Sequence, residues 1–107
     1  MSFTSFDEIE EREVIPGFHA KFVHSENLTV VRWRIEKDAS MPEHVHEHEQ
    51  ITHVLKGKLR LKVGNETKNL GPGDVAVIQP DLPHSGEALS LCEVIDIFYP
   101  VREDYKE

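Results

Sequence analysis

The chain reads as all-β, an antiparallel sandwich or small barrel closed on itself, on three observations. Short runs of β-forming residues follow one another between turn signals, and the clearest of them alternates polar and apolar residues with a period of two. No segment carries the 3.6-residue apolar spacing of an ordinary amphipathic helix. The 107 residues, 38% of them hydrophobic, suit one domain over 1–107, near the size at which a single core is sufficient without disulfides.

Residues 1–15 are expected to form an N-terminal arm or edge strand. Ser5 to Glu13 is dense in Asp and Glu, Phe6, Ile9 and Val14 are irregularly spaced, and the stretch leads to Pro16-Gly17. Strands are then predicted over residues 18–23, 28–35, 44–46, 51–55, 59–63, 67–70, 75–78 and 91–99. In the middle of this series Leu59, Leu61 and Val63 face one way and Lys58, Arg60 and Lys62 the other, after which Gly64-Asn65 offers the positive φ angles of a tight hairpin. Gly71-Pro72-Gly73-Asp74 is a further turn, and Gly57 sits where a hairpin must reverse. So many short strands, with no internal repeat, favour a closed β architecture.

The formal net charge of −8 repels phosphates and no Lys/Arg cluster with interleaved aromatics offsets it, so nucleic acid is not an expected partner. An anionic small molecule would need a local cation to reverse the field. Cys92 is the single cysteine, which excludes an intramolecular disulfide and fits a reducing compartment; within its strand it reads as a small buried apolar residue. No long apolar stretch or basic leader suggests membrane insertion or secretion, and a cytoplasmic location is expected.

Chemistry concentrates in His44-Val45-His46-Glu47-His48-Glu49-Gln50 and in His84, far along the chain. Imidazole is the commonest neutral ligand of divalent transition metals, and a strand over 44–46 would turn His44 and His46 to one face. Gln50 and His84 can complete the set once a barrel brings the segments together. His48 is the rival ligand, because it shares parity with His46 if the strand runs straight; a corner at Glu47-His48-Glu49 favours Gln50. His19, His24 and His53 lack ligand spacing and read as surface or packing histidines. The same residues without a metal would be a surface histidine cluster.

Two motifs make the sequence resemble the cupin superfamily over most of its length. The first is His44-Val45-His46, three residues, Gln50, six residues, Gly57; the second is Gly73, five residues, Gln79-Pro80-Asp81, two residues, His84. Gln79 and Asp81 depart from the proline and glycine usual in the second motif, and Ala88 stands where many members carry Asn; Asp81 tolerates a turn conformation. The resemblance implies a single-domain cupin, an antiparallel β-barrel or jelly roll, with one divalent transition metal held by His44, His46, Gln50 and His84. Neutral donors suit nickel, zinc, iron or manganese alike. Gln50 where glutamate often lies leaves the ion its full charge, which attracts anions.

In the last strand Cys92, Val94, Asp96 and Phe98 share a face, so Asp96 sits in an apolar row. It is either a satisfied structural group or a catalytic acid/base. Arg102 reads, by itself, as a solvated charge of the tail. The run from Asp96 to Tyr105, with His48 to Gly57, resembles the pectin-degradation cupins, which open 4,5-unsaturated uronates to linear 5-keto-4-deoxyuronates. That resemblance implies catalytic roles for Asp96, Phe98 and Arg102, an acidic sugar as substrate, and a homodimer. The alternatives are other metal-dependent cupin chemistry, a dioxygenase or lyase, and a non-catalytic metal- or sugar-acid-binding cupin.

Overall fold

The computed structural model describes residues 2–106; of the expected domain, Met1 and Glu107 lie outside the described residues. Ten strands follow one another: β1 (Arg12–Ile15), β2 (Phe18–His24), β3 (Thr29–Ile35), β4 (Ser40–His44), β5 (Glu49–Lys56), β6 (Leu59–Val63), β7 (Glu66–Leu70), β8 (Val75–Ile78), β9 (His84–Ala88) and β10 (Cys92–Tyr99). They make two antiparallel sheets, ordered β1-β2-β3-β10-β5-β8 and β4-β9-β6-β7. The all-β class expected from the sequence is the one adopted.

Alternation places the core. On β3, Val31, Trp33 and Ile35 are buried, and on β10 Cys92, Val94, Asp96 and Phe98 are, while their neighbours face outward. Val31, Val54, Ile78 and Val94 of the larger sheet join Leu59, Leu61, Leu70 and Ala88 of the smaller in one cluster. Each large aliphatic side chain buried there stabilises the fold by roughly 1.5–3 kcal/mol. The outer face of the larger sheet leaves Ile51, Val75, Val77, Ile97 and Tyr99 exposed.

The N-terminal stretch expected as an arm or edge strand is a short 3-10 turn, Phe6–Glu8, followed by β1 as an edge strand. Three other local expectations change. The strand expected over 44–46 is Ser40–His44 instead. It lies at the edge of its sheet, where Pro42 costs no ladder bond, and an irregularity between Met41 and His44 absorbs it. β9 was not expected at all, because His84-Ser85-Gly86-Glu87-Ala88 has little β propensity; pairing on both sides, with β4 and β6, supplies what propensity does not. At the β6–β7 hairpin only Gly64 takes a positive φ, +58°, which is the pattern of a type II′ turn with glycine first.

Candidate metal centre and the adjoining pocket

His44 and His84 stand opposite each other in the β4–β9 register, their ring centroids 4.1 Å apart. His46 lies two residues beyond the end of β4, so an irregular passage rather than strand alternation brings it in; its ring centroid is 4.7 Å from that of His84. Ligating atoms of the three histidines all fall within 4.8 Å of one another.

Their tautomers follow from the backbone. Each Nδ1 meets a carbonyl two residues away: His44 with Pro42 at 2.8 Å, His46 with His48 at 2.9 Å, His84 with Leu82 at 2.8 Å. A carbonyl only accepts, so Nδ1 carries the proton and Nε2 is left with its lone pair. Burial favours the neutral imidazole at two of them, pushing His84 down to about 4 and His46 below its ordinary value. His84 Nε2 is buried without a hydrogen-bond partner, and His46 Nε2 faces Gln50 Oε1 at 3.1 Å, one acceptor against another. Lone pairs turned on one another in one pocket fit a cation, and this donor set could hold a divalent transition metal.

His48 does not join the triad. Its carbonyl takes the His46 proton, its ring centroid is 5.5 Å from that of His46, and its own Nδ1 is buried without a partner. His19 stands in a second group with Glu13 and Glu36, where Nε2 meets Glu36 at 2.7 Å; both carboxylates are exposed and the contact is a surface hydrogen bond. His24 bonds Thr29 and stacks on Phe22, a packing histidine as expected.

Asp96 is buried on β10, directly opposite Thr52 of β5. Oδ1 accepts from the Thr52 hydroxyl at 2.6 Å and Oδ2 from the Trp33 indole at 2.8 Å. Burial pushes its carboxyl up, and the bonds from Thr52, Trp33 and Gln50, with the charge of Arg102, pull the other way without cancelling it. Such a group can both take and return a proton. Arg102, buried, lies with its guanidinium carbon 4.7 Å from the Phe98 ring centre and 4.1 Å from that of Tyr105. Histidines, Asp96, Phe98 and Arg102 thus line one cavity of about 60 Å³.

Sequence reasoning missed Thr52, Trp33, Asp104 and Tyr105. Thr52 could have been found by parity, since it follows Gln50 by two on the same face of β5; nothing local marks the others.

The sequence matches the Cupin domain family over residues 31–98. The chain is a cupin. A comparison with curated proteins by sequence gives no match. Among solved structures this cupin is similar to KdgF from Halomonas sp., with 32% identity over 99% of each chain and a TM-score of 0.93. It is also similar to an RmlC-like cupin from Shewanella frigidimarina NCIMB 400, with 25% identity, 99% and 96% coverage and a TM-score of 0.94. A Bacillus subtilis oxalate decarboxylase matches 91% of this chain with 29% of its own, at 26% identity and a TM-score of 0.80. Among the described residues, no helix is long and apolar enough to cross a membrane.

Proposed function

We propose that this cupin opens 4,5-unsaturated uronates to linear 5-keto-4-deoxyuronates at a metal centre held by His44, His46, Gln50 and His84. One observation carries the reading: Asp96, a buried carboxyl with raised proton affinity, shares a pocket with three converging imidazoles and an arginine. The likeness to KdgF over the whole chain supports it.

The reaction is an internal redistribution. In the cyclic substrate the C1 hydroxyl loses its proton, a C1 carbonyl forms, and the bond from C1 to the ring oxygen breaks. The released enolate takes a proton at C4, so no water is consumed. Asp96 accepts the first proton and delivers the second, held for both by Thr52 and Trp33. Arg102 binds the substrate carboxylate with the N–H groups that its other partners leave over, and Phe98 packs against the sugar ring. A bound divalent cation supplies positive charge, undiminished by its neutral ligands, that favours the anionic substrate and the enolate.

Incubation of metal-loaded protein with an unsaturated galacturonate, oxygen excluded, tests this. Loss of the conjugated chromophore is expected, and an unchanged absorbance overturns the reading. Oxygen uptake or release of carbon dioxide would point instead to the dioxygenase or lyase alternatives. A homodimer belongs to the same proposal: Ile51, Val75, Val77 and Ile97 on the larger sheet, next to its β8 edge, are the surface a second copy would cover. A monomer mass by light scattering would remove it.

A further inference from the structure

Gln50 poses a choice that the histidines do not. Its amide has one end that can ligate a cation, the oxygen, and one that repels it, the NH₂ group. Three hydrogen bonds decide which end faces the imidazoles. Gln50 Nε2 lies 2.9 Å from Thr52 Oγ1, Thr52 Oγ1 lies 2.6 Å from Asp96 Oδ1, and Asp96 Oδ2 takes the Trp33 indole N–H at 2.8 Å.

The direction of the row is set from its far end. An indole N–H only donates, and Asp96 in its ionised form, the form that takes the first proton, only accepts, so the Thr52 hydroxyl gives its hydrogen to Asp96; 2.6 Å is the length of a hydroxyl bound to a carboxylate. The Thr52 oxygen is then free to accept, and it accepts from the Gln50 NH₂ group. Oε1 is what remains to face His46 Nε2 at 3.1 Å. Thr52 and Gln50 are both buried, on one face of β5, and Thr52 pairs with Asp96 across the strands, so water does not substitute for these bonds.

We propose that Thr52 is a positioning residue: it turns the Gln50 amide oxygen toward the metal centre and ties that orientation to the Asp96 carboxylate. The inference deepens the functional reading above, and rests on its metal centre rather than on its substrate. Loss of the hydroxyl would remove the nearest acceptor of the Gln50 NH₂ group and loosen the hold on the amide's orientation.

Cobalt(II) is the probe, its affinity measured by chelator competition and its surroundings by the visible ligand-field bands. Thr52→Val, close in shape, should bind cobalt about 10- to 100-fold more weakly and with altered bands, the size of effect that removal of a ligand's supporting partner produces. Thr52→Ser, which restores the hydroxyl, should restore both. Wild-type affinity and bands in Thr52→Val would overturn the proposal. Should that variant not fold, the ¹⁵N-labelled Gln50 side-chain amide of the zinc-loaded wild type decides: slow solvent exchange is expected, and fast exchange refutes it. Failure of the wild type to bind cobalt overturns the metal centre and this inference together, whereas cobalt binding without uronate turnover overturns only the substrate.

Discussion

Asp104 grips the Arg102 guanidinium on two atoms, with Nε 2.9 Å from Oδ1 and Nη2 2.7 Å from Oδ2. The fork that recognises carboxylates is therefore partly engaged by the chain's own carboxylate, while Phe98 and Tyr105 hold the guanidinium plane.

Two variants separate holding from binding. Arg102→Lys keeps the charge but loses both the fork and the aromatic stacking, so kcat/KM should fall about 10- to 100-fold, the worth of a charged hydrogen bond. Asp104→Ala removes a pair whose acidic partner is 58% exposed, so KM should rise by no more than about fivefold with kcat little changed. Steady-state kinetics on an unsaturated galacturonate measure both; equal losses in the two variants would contradict this division of roles.

Asp96→Asn keeps the shape of the side chain but cannot carry a proton. Turnover per bound metal should drop roughly 10²- to 10⁴-fold. Full activity after elemental analysis has fixed the metal content would exclude Asp96 as the acid/base.

What the sequence made legible follows from where information is local. The alternation of Leu59, Leu61 and Val63 needs no partner to be read, and the motif spacings made His44, His46, Gln50 and His84 candidates before any fold was known. β9 was illegible because its residues form a strand only between β4 and β6. The convergence of His44 and His46 was expected for the wrong local reason, since β4 ends between them. Thr52 and Trp33 look like ordinary β-formers; only the register of β5 and β3 against β10 turns them toward Asp96.

Gly57 links the first motif to the fold. Its φ is +84°, and a Cβ there would stand 2.1 Å from the Leu91 carbonyl oxygen. Gly57→Ala combines an unfavourable backbone conformation with a clash against backbone that cannot swing aside. It should cost more than about 2 kcal/mol, a drop of roughly 8 °C or more in Tm by calorimetry. An unshifted Tm would show that the turn can rearrange.

Metal content separates His84 from His48. His84→Ala removes one of the three converging nitrogens and should abolish stoichiometric metal by elemental analysis of dialysed protein. His48→Ala keeps the backbone carbonyl that fixes His46 and should keep the metal. Retention in the first variant or loss in the second would reverse their roles.

Acid should destabilise the metal-free protein through His84. Its folded-state pKa, about 4, lies below the ordinary 6.5, so between these values the unfolded chain binds a proton that the folded chain does not. Stability is therefore undiminished above about pH 6.5, falls as pH drops through the window, and levels off near 4. Over the whole window the loss from this residue is roughly 3 kcal/mol, and about 2 kcal/mol of it is reached by pH 5. Asp96, its carboxyl raised, acts in the opposite sense, so the difference between wild type and His84→Gln in urea titrations at pH 7.5 and 5 isolates the imidazole. The wild type should lose more than the variant by that amount. Parallel losses would mean that His84 is protonated in the folded chain, and its nitrogen would then be closed to a metal at mildly acidic pH.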